Sequence, residues 1–247
     1  MIQHQLALDD SIPHLQEYQV RESARARSVS LRVLPLGGLE VVIPRRFNRQ
    51  QIPAILRENS AWIERALARQ EERIPASARE WPPTSLPLRA LQRELAVDLV
   101  PDATASCGCV TLQGDLMQFR GPDLGRESVA ELAENALKQV AKRCFPAMVE
   151  QAAAEHGFTY ARVRIRAQKT LWGSCSSKGT ISLNYKLLFL SPELCRYVLL
   201  HELAHTRHLD HSPRFWKVLE AVQPGARQLD RQLSAASAQV PLWLERG

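Results

Sequence analysis

The sequence predicts an α+β fold in which a small antiparallel sheet lies beside a histidine-bearing helix, after a β-rich N-terminal region. Short β-branched runs fill residues 18–46 and 88–120, and a long helical pattern begins after residue 125. With 247 residues and 45% hydrophobic content, the chain can bury one large core or two small ones. We expect an N-terminal accessory region over residues 1–125 and a second domain over residues 126–247.

The N-terminal region contains two short runs that are typical of a β-hairpin. Residues 29–33 and 39–43 are rich in apolar and β-branched side chains, and Gly37-Gly38 between them suits a tight turn. Residues 49–73 then follow the apolar spacing of a helix, and a proline-bearing connector extends from residue 74 to residue 87. We identify no internal repeat and no extended low-complexity tract.

The second domain begins with a long predicted helix, from Glu127 to His156. Gly157 supplies its stop, because glycine adopts the left-handed conformation that commonly ends a helix. Pro146 lies inside the helical pattern and lacks the backbone N–H that a helix interior needs. We therefore expect a kink or a break near Pro146.

Two strands are predicted after this helix. Apolar residues at 163, 165 and 167 alternate with arginines at 162, 164 and 166, which is typical of a strand with one arginine-lined face. Ser174–Gly179 has turn character, and residues 180–187 predict the second strand. We expect the two strands to form an antiparallel edge beside a cleft, where the backbone of residues 180–187 would hold an extended peptide by strand addition.

The next helix is well capped and carries paired histidines. Ser191-Pro192-Glu193 supplies an N-cap hydroxyl, a proline for the first helical position and an acidic residue in the first turn. Positions i and i+4 share one helix face, so His201 and His205 can reach a single ion. Glu202 lies beside them, where its carboxylate can reach a metal-bound water. This is the helical zinc pattern in which the glutamate is the general base.

A third ligand must come from outside the straight helix. From His201 to His208 the axial rise is roughly 10 Å at about 1.5 Å per residue, so three collinear imidazoles cannot converge on one tetrahedral ion. Ser212-Pro213 begins another helix, and His211 in the intervening turn can swing back to the metal. We predict zinc bound by His201, His205 and His211, with water in the fourth position and His208 as an outer or surface residue.

Cys175 leaves an alternative open. A thiolate at this position would close the coordination shell, which favours a structural site, because catalytic zinc keeps one position open. A turn before a strand also commonly carries a small buried residue, which is the second interpretation of Cys175. The two interpretations separate a zinc-stabilised binding protein from an enzyme.

Four runs in the C-terminal half have the composition of known peptidase motifs: Lys169–Gly179, Ile181–Leu187, His201–His205 and His211–Trp216. Together they resemble the YgjP-like metallopeptidases and, more distantly, the SprT-like proteases that act on DNA-bound proteins. The resemblance extends more loosely to an arginine-rich run at residues 21–28, a strand-like run at residues 42–45 and a helix at residues 61–63 that carries Trp62. It implies a zincin-like metallopeptidase core with three histidine ligands and a catalytic glutamate.

Composition suggests the compartment and the partners. The five cysteines are odd in number and irregularly spaced, which favours a reducing cytoplasm over a disulfide framework. No stretch approaches the ~20 apolar residues that span a bilayer, and the N-terminus lacks the layout of a secretion signal, so we expect no membrane association. The net charge of +6 could attract nucleic acid through an arginine cluster formed by Arg21, Arg25, Arg27, Arg32, Arg45, Arg46 and Arg49.

The expected function is hydrolysis of peptide bonds in a protein or peptide substrate. Trp172, Asn184 and Tyr185 are candidate substrate-binding residues, although strand alternation would let at most one of the last two face the site. Tyr185, Arg207 and Lys169 are candidates for stabilising the oxyanion. Two alternatives are a nucleic-acid-associated protein with a regulatory or structural zinc site, and a hydrolase of another amide. The sequence predicts neither the substrate nor the oligomeric state.

Overall fold

The computed structural model of the chain describes residues 5–7, 17–23, 26–33, 39–73, 81–168 and 171–244. The chain divides into two compact units, one within residues 1–79 and the other within residues 80–246. Each unit has its own hydrophobic core. The division that we infer from the sequence lies instead between residues 125 and 126, and it stays a prediction.

Among its described residues, the first unit contains four strands and two helices: β1 (Gln5–Ala7), β2 (Glu17–Ser23), β3 (Ser30–Val33), β4 (Leu39–Pro44), α1 (Ile52–Glu58) and α2 (Ser60–Arg73). The sheet has the order β1-β2-β4-β3, with β2 and β4 parallel and the other pairs antiparallel. The predicted pairing of residues 29–33 with residues 39–43 is confirmed by β3 and β4, whereas Gly37-Gly38 lies outside the described residues. The helix predicted over residues 49–73 is interrupted at Asn59, whose Nδ2 donates to the Ile55 carbonyl at 2.8 Å.

The second unit begins with another four-stranded sheet, formed by β5 (Ser85–Leu88), β6 (Arg93–Pro101), β7 (Cys109–Gln113) and β8 (Leu116–Gly121). Its order is β5-β6-β8-β7, with β6 and β8 parallel and the other pairs antiparallel. The strand order and directions match those of the first sheet. The two units therefore share a strand arrangement, although the sequence shows no evident repeat. Buried Leu95, Met117 and Phe119 place this sheet in the same core as the helices that follow.

One long helix, α3 (Arg126–His156), follows this sheet. Asp123 stabilises its start, because its carboxylate accepts from the Gly125 N–H at 2.9 Å. The helix is continuous through Pro146, so the predicted break is absent, while a kink there stays a prediction; Gly157 ends the helix with φ +64° as predicted. Ten of its side chains are buried, which makes α3 the central helix of the second core.

A three-stranded sheet lies between α3 and the histidine helix in sequence: β9 (Arg162–Arg166), β10 (Gly173–Cys175) and β11 (Thr180–Asn184), in the order β10-β11-β9. The alternation predicted for β9 is confirmed, because its three arginines are exposed and its two apolar residues are half-buried. The predicted antiparallel pairing of β9 with β11 is wrong: these strands are parallel, and β10 supplies the antiparallel partner of β11. The predicted second strand also ends early, since residues 185–189 form a 3-10 helix.

The remaining helices are α4 (Pro192–Ala204), α5 (Pro213–Val222) and α6 (Ala226–Leu233), followed by short 3-10 turns at Ala236–Gln239 and Leu242–Leu244. Helix α4 packs against α3, β10, α5 and α6, so it lies at the centre of the second unit. None of the helices in the described part of the chain is long and apolar enough to cross a membrane.

Candidate metal centre

Helix α4 presents His201 at the border between the buried core and the surface. The helix starts as predicted, with the Ser191 hydroxyl accepting from the Leu194 N–H at 3.3 Å and Pro192 in the first turn. The body of the helix is almost wholly buried, and His201 is only partly exposed. His205 follows the last helical residue but keeps helical backbone angles, so it stays one turn from His201.

The turn after α4 brings His211 close to His201 and His205. Its Nε2 lies 3.1 Å from the Nε2 of His201, and the Nε2 of His205 lies 3.2 Å from that same atom. The three ligand atoms all fall within 4.8 Å of one another. The structure therefore brings together the three histidines that the sequence predicts as ligands, and His208 is not a member of this group.

Phe215 on α5 forms a wall behind the three imidazoles. It is fully buried, its ring stacks on His205 with centroids 4.5 Å apart, and it meets His201 and His211 edge-on at 4.9 Å. The sequence pattern does not predict this role of Phe215. Its position two residues after the Ser212-Pro213 helix start was the available signal.

Hydrogen bonds fix the protonated nitrogen of two of these histidines. The Nδ1 of His205 lies 2.9 Å from the His208 carbonyl, which can only accept, so this nitrogen carries the proton. The Nδ1 of His201 lies 3.2 Å from the Tyr197 hydroxyl, and that hydroxyl donates to Asp230 at 2.9 Å. The hydroxyl proton is thus directed to Asp230, and the Nδ1 of His201 donates to the phenol oxygen.

The two histidines are also neutral. Burial, with His205 and His211 close by, lowers the pKa of His201 to about 3, and burial lowers the pKa of His205. A neutral imidazole carries one N–H, which both residues use at Nδ1, so their Nε2 atoms face each other with bare lone pairs at 3.2 Å. Such an arrangement is repulsive without a cation between the nitrogens.

The donor set fits a divalent metal ion. Tetrahedral bonds of about 2.0–2.1 Å separate ligand nitrogens by roughly 3.3 Å, close to the observed 3.1 Å and 3.2 Å. Cys175 lies outside the group of potential ligands that the described residues contain. Burial and the nearby Glu202 raise the pKa of the Cys175 thiol, which disfavours the thiolate that metal binding requires.

Glu202, which follows His201 in the chain, is buried. Its side chain is 5% exposed, and burial raises its pKa to about 8. Among the described residues, no group forms a hydrogen bond with its Oε2. A Cβ on Gly173 would lie 2.6 Å from Oε1, so β10 approaches the carboxyl group this closely only because residue 173 is glycine.

Two of the predicted substrate-binding residues are engaged inside the protein. Asn184 is buried, and its Nδ2 donates to the carbonyls of Gln168 and Leu171 at 2.8 Å and 2.9 Å. Tyr185 is fully buried at the start of the 3-10 helix, so both residues are buried despite the strand alternation expected for them. Trp172 is half-buried, packs against the core and is the most accessible of the three. Substrate contact by these residues stays a prediction.

The candidates for oxyanion stabilisation fare differently. Arg207 donates from Nη2 to the Gly157 carbonyl at 2.8 Å and lies over the Phe158 ring, so its guanidinium is committed to the end of α3. Lys169 lies outside the described residues.

Burial and the bond to Asp230 raise the pKa of Tyr197, which keeps that phenol protonated. Sequence reasoning missed both Tyr197 and Asp230, because they are 33 residues apart and meet only through packing of α6 on α4.

The chain matches one family model and is similar to two solved structures. The family model described as "YgjP-like, metallopeptidase domain" matches residues 27–236. The chain is also similar to two crystal structures of metallopeptidase zymogens. Abylysin of Pyrococcus abyssi has 36% identity, with 37% of this chain and 93% of that chain covered and a TM-score of 0.34. Jannalysin of Methanocaldococcus jannaschii has 20% identity, with 36% and 91% covered and a TM-score of 0.32.

No curated protein matches the chain. The family match nevertheless covers most of both units and includes the histidine group, β10 and β11. A metallopeptidase domain implies a divalent metal ion and a peptide substrate. The chain therefore belongs to the YgjP-like family and contains its metallopeptidase domain.

Proposed function

We propose that this protein is a zinc-dependent peptidase in which His201, His205 and His211 bind the metal and Glu202 is the general base. The observation that carries the proposal is the convergence of the His205 and His211 Nε2 atoms on that of His201, at 3.2 Å and 3.1 Å, with the buried Glu202 next to His201 in the chain. Imidazole is a preferred ligand of zinc, and three protein ligands leave the open position that catalytic zinc sites keep.

Glu202 has the environment that a general base for hydrolysis needs. Zinc, when bound, would lower the pKa of a coordinated water towards ~7 and polarise the scissile carbonyl. Glu202 would accept the proton of the attacking water at its carboxylate and then deliver it to the departing amine. Burial raises the pKa of Glu202 to about 8, so its carboxylate, once ionised, is a stronger base than that of a solvated glutamate.

The sheet edge next to α4 is the place where an extended peptide could add as a strand. The backbone of β11 is already paired on both sides, with β10 and with β9, so the predicted strand addition to residues 180–187 is disfavoured. Within the described residues, β10 has a partner on one side only and packs against α4. We therefore move the proposed peptide contact to Gly173–Cys175.

The nucleic-acid alternative has less support. The family is one of metallopeptidases, and a structural site would need a fourth protein ligand beyond the three histidines. Within the arginine cluster, Arg21 pairs with Glu40 at 2.8 Å and Arg49 approaches Glu22 at 3.9 Å, which reduces the free positive charge, and Arg25 lies outside the described residues. Five free cysteines, as the structure has them, support our proposal of a reducing cytoplasm.

The experiment combines metal content with cleavage of a broad peptide library. We expect the purified protein to hold one zinc ion and to cleave peptides. Glu202→Gln should reduce turnover by at least roughly 100-fold while keeping the zinc, because it removes the base and no ligand. His205→Ala should lose both zinc and turnover. Undiminished cleavage by Glu202→Gln would contradict the general-base role.

A further inference from the structure

We propose that Tyr197 and Asp230 are positioning residues that hold His201 in the tautomer able to bind the metal. The inference rests on the proposed metal site and extends it to two residues that touch neither the metal nor the substrate. Three helical positions take part: Tyr197 and His201 are one turn apart on α4, and Asp230 comes from α6.

The three groups form one hydrogen-bonded chain. The Tyr197 side chain is fully buried, its hydroxyl lies 3.2 Å from the Nδ1 of His201, and it donates to Asp230 Oδ1 at 2.9 Å. The rings of Tyr197 and His201 meet edge-on with centroids 5.7 Å apart, so the two rings are not stacked.

The direction of each hydrogen bond follows from what each group can do. A carboxylate only accepts, so the single proton of the Tyr197 hydroxyl is directed to Asp230. The phenol oxygen can then only accept from His201, whose Nδ1 must carry the ring proton. The Nε2 of His201 is thereby left unprotonated and aimed at the Nε2 atoms of His205 and His211.

Removal of Asp230 should reverse the direction of the hydrogen bond between Tyr197 and His201. Without the carboxylate, the Tyr197 hydroxyl is free to donate to Nδ1, which would place the ring proton on Nε2 and block metal binding by His201. Histidine ligands commonly donate to a carboxylate or carbonyl in this way, and loss of that partner weakens metal affinity by roughly 10–100-fold. Here a tyrosine lies between the histidine and the carboxylate, which lets a residue of α6 act on a ligand of α4.

His205 provides an internal comparison. Its Nδ1 donates to the His208 carbonyl, a main-chain group that side-chain substitution leaves in place. The orientation of His205 should therefore survive changes at Tyr197 and Asp230. The predicted defect is confined to one ligand, which gives weakened metal binding and not complete loss.

The test measures zinc affinity of the full chain by competition with a chromogenic chelator. The variants are Tyr197→Phe, Asp230→Ala and the double variant, and Tyr160→Phe serves as a control that removes a phenol outside the histidine group. We expect zinc affinity to fall by roughly 10–100-fold in both single variants and to stay unchanged in the control. The double variant should bind zinc as weakly as Tyr197→Phe alone, because Asp230 acts through Tyr197. The absorption spectrum of bound Co²⁺ should change in the same variants.

The outcomes separate this inference from the proposed function. Wild-type protein that binds no zinc and cleaves no peptide would contradict the proposed function itself. Wild-type protein that binds and cleaves, beside Tyr197→Phe and Asp230→Ala variants with wild-type affinity, would overturn only the positioning role. Independent losses that add in the double variant would also overturn it. If Tyr197→Phe does not fold, Asp230→Ala alone decides between these outcomes, with thermal unfolding of the metal-free protein as the check on folding.

Discussion

Little space surrounds Glu202, the proposed base, because Gly173 lies close to its carboxyl group. The space next to Gly173 is occupied by the Glu202 side chain. A Cβ at residue 173 would lie 2.6 Å from Oε1 and 2.8 Å from Cγ of Glu202. Real Cβ contacts are longer, so a larger residue must displace Glu202 or β10. Glycine at this position therefore fixes where the carboxyl group can lie.

Gly173→Ala tests this constraint. We expect kcat for peptide cleavage to fall by roughly 10–100-fold, because a shift of the base by about 1 Å can cost that much in rate, while zinc content stays at the wild-type level. Ser174→Ala is the matched control, since strand alternation points residue 174 to the opposite face of β10. Wild-type kcat in Gly173→Ala would show that the close approach is not needed.

At this scale, the sequence predicts the histidines that the structure brings together, but not the residues that contact them. The histidine spacing and the Ser212-Pro213 helix break identify His211, because helix geometry alone excludes His208 as a third ligand. Phe215, Tyr197 and Asp230 escape prediction, because their roles depend on how α5 and α6 pack against α4. Periodicity describes one element at a time, so contacts between elements stay invisible to it.

At the scale of elements, the three-stranded sheet of β9, β10 and β11 shows where local sequence patterns mislead. Alternation predicts β9 and β11 correctly as strands, but it carries no information about their partners. The three-residue β10 is too short to show a period of two, and it enters the sheet as the antiparallel neighbour of β11. The edge that faces α4 therefore belongs to the strand that the pattern did not identify.

Asn184 illustrates a second limit at this scale. A polar residue at the end of a strand suggests a substrate contact, yet its side chain joins the Gln168 and Leu171 carbonyls and accepts from the Lys186 N–H at 3.2 Å. These bonds hold the segment before β10 and the start of the 3-10 helix. Buried amides commonly serve such internal needs, because leaving main-chain groups unpaired is costly.

The first parts of the two units follow one arrangement of elements. Both sheets have the same strand order and directions, and each is followed by helix. Buried Ile52, Leu56 and Ile63 are spaced by four and seven residues, as are Val129, Ala133 and Val140. Helix periodicity accounts for the four-residue step within each helix, from Ile52 to Leu56 and from Val129 to Ala133.

At the scale of the whole molecule, the sequence pattern and the structure place the domain boundary at different residues. Composition places it at residues 125/126, where β-rich sequence gives way to the long helix. The compact units meet instead at residues 79/80, because apolar residues of β5, β6 and β8 share a core with α3. A pattern change along the chain marks a change of element type, which need not be a domain boundary.

Two fragments test this boundary. Residues 80–247 should unfold cooperatively in urea and bind zinc, because they retain the whole second core. Residues 126–247 should fail to fold, because removing β5–β8 takes Leu95, Met117 and Phe119 out of the core that they share with α3 and leaves a smaller core. Cooperative unfolding and zinc binding by the shorter fragment would support the boundary at residues 125/126.

We propose that three histidines of this chain bind zinc and that the fourth coordination position stays open for water. X-ray absorption at the zinc edge of the purified protein measures the ligands directly. We expect three imidazole nitrogens and one oxygen at about 2.0–2.1 Å from the zinc ion. A sulfur ligand at about 2.3 Å, which would indicate Cys175, or a shell closed by a fourth protein ligand would contradict it.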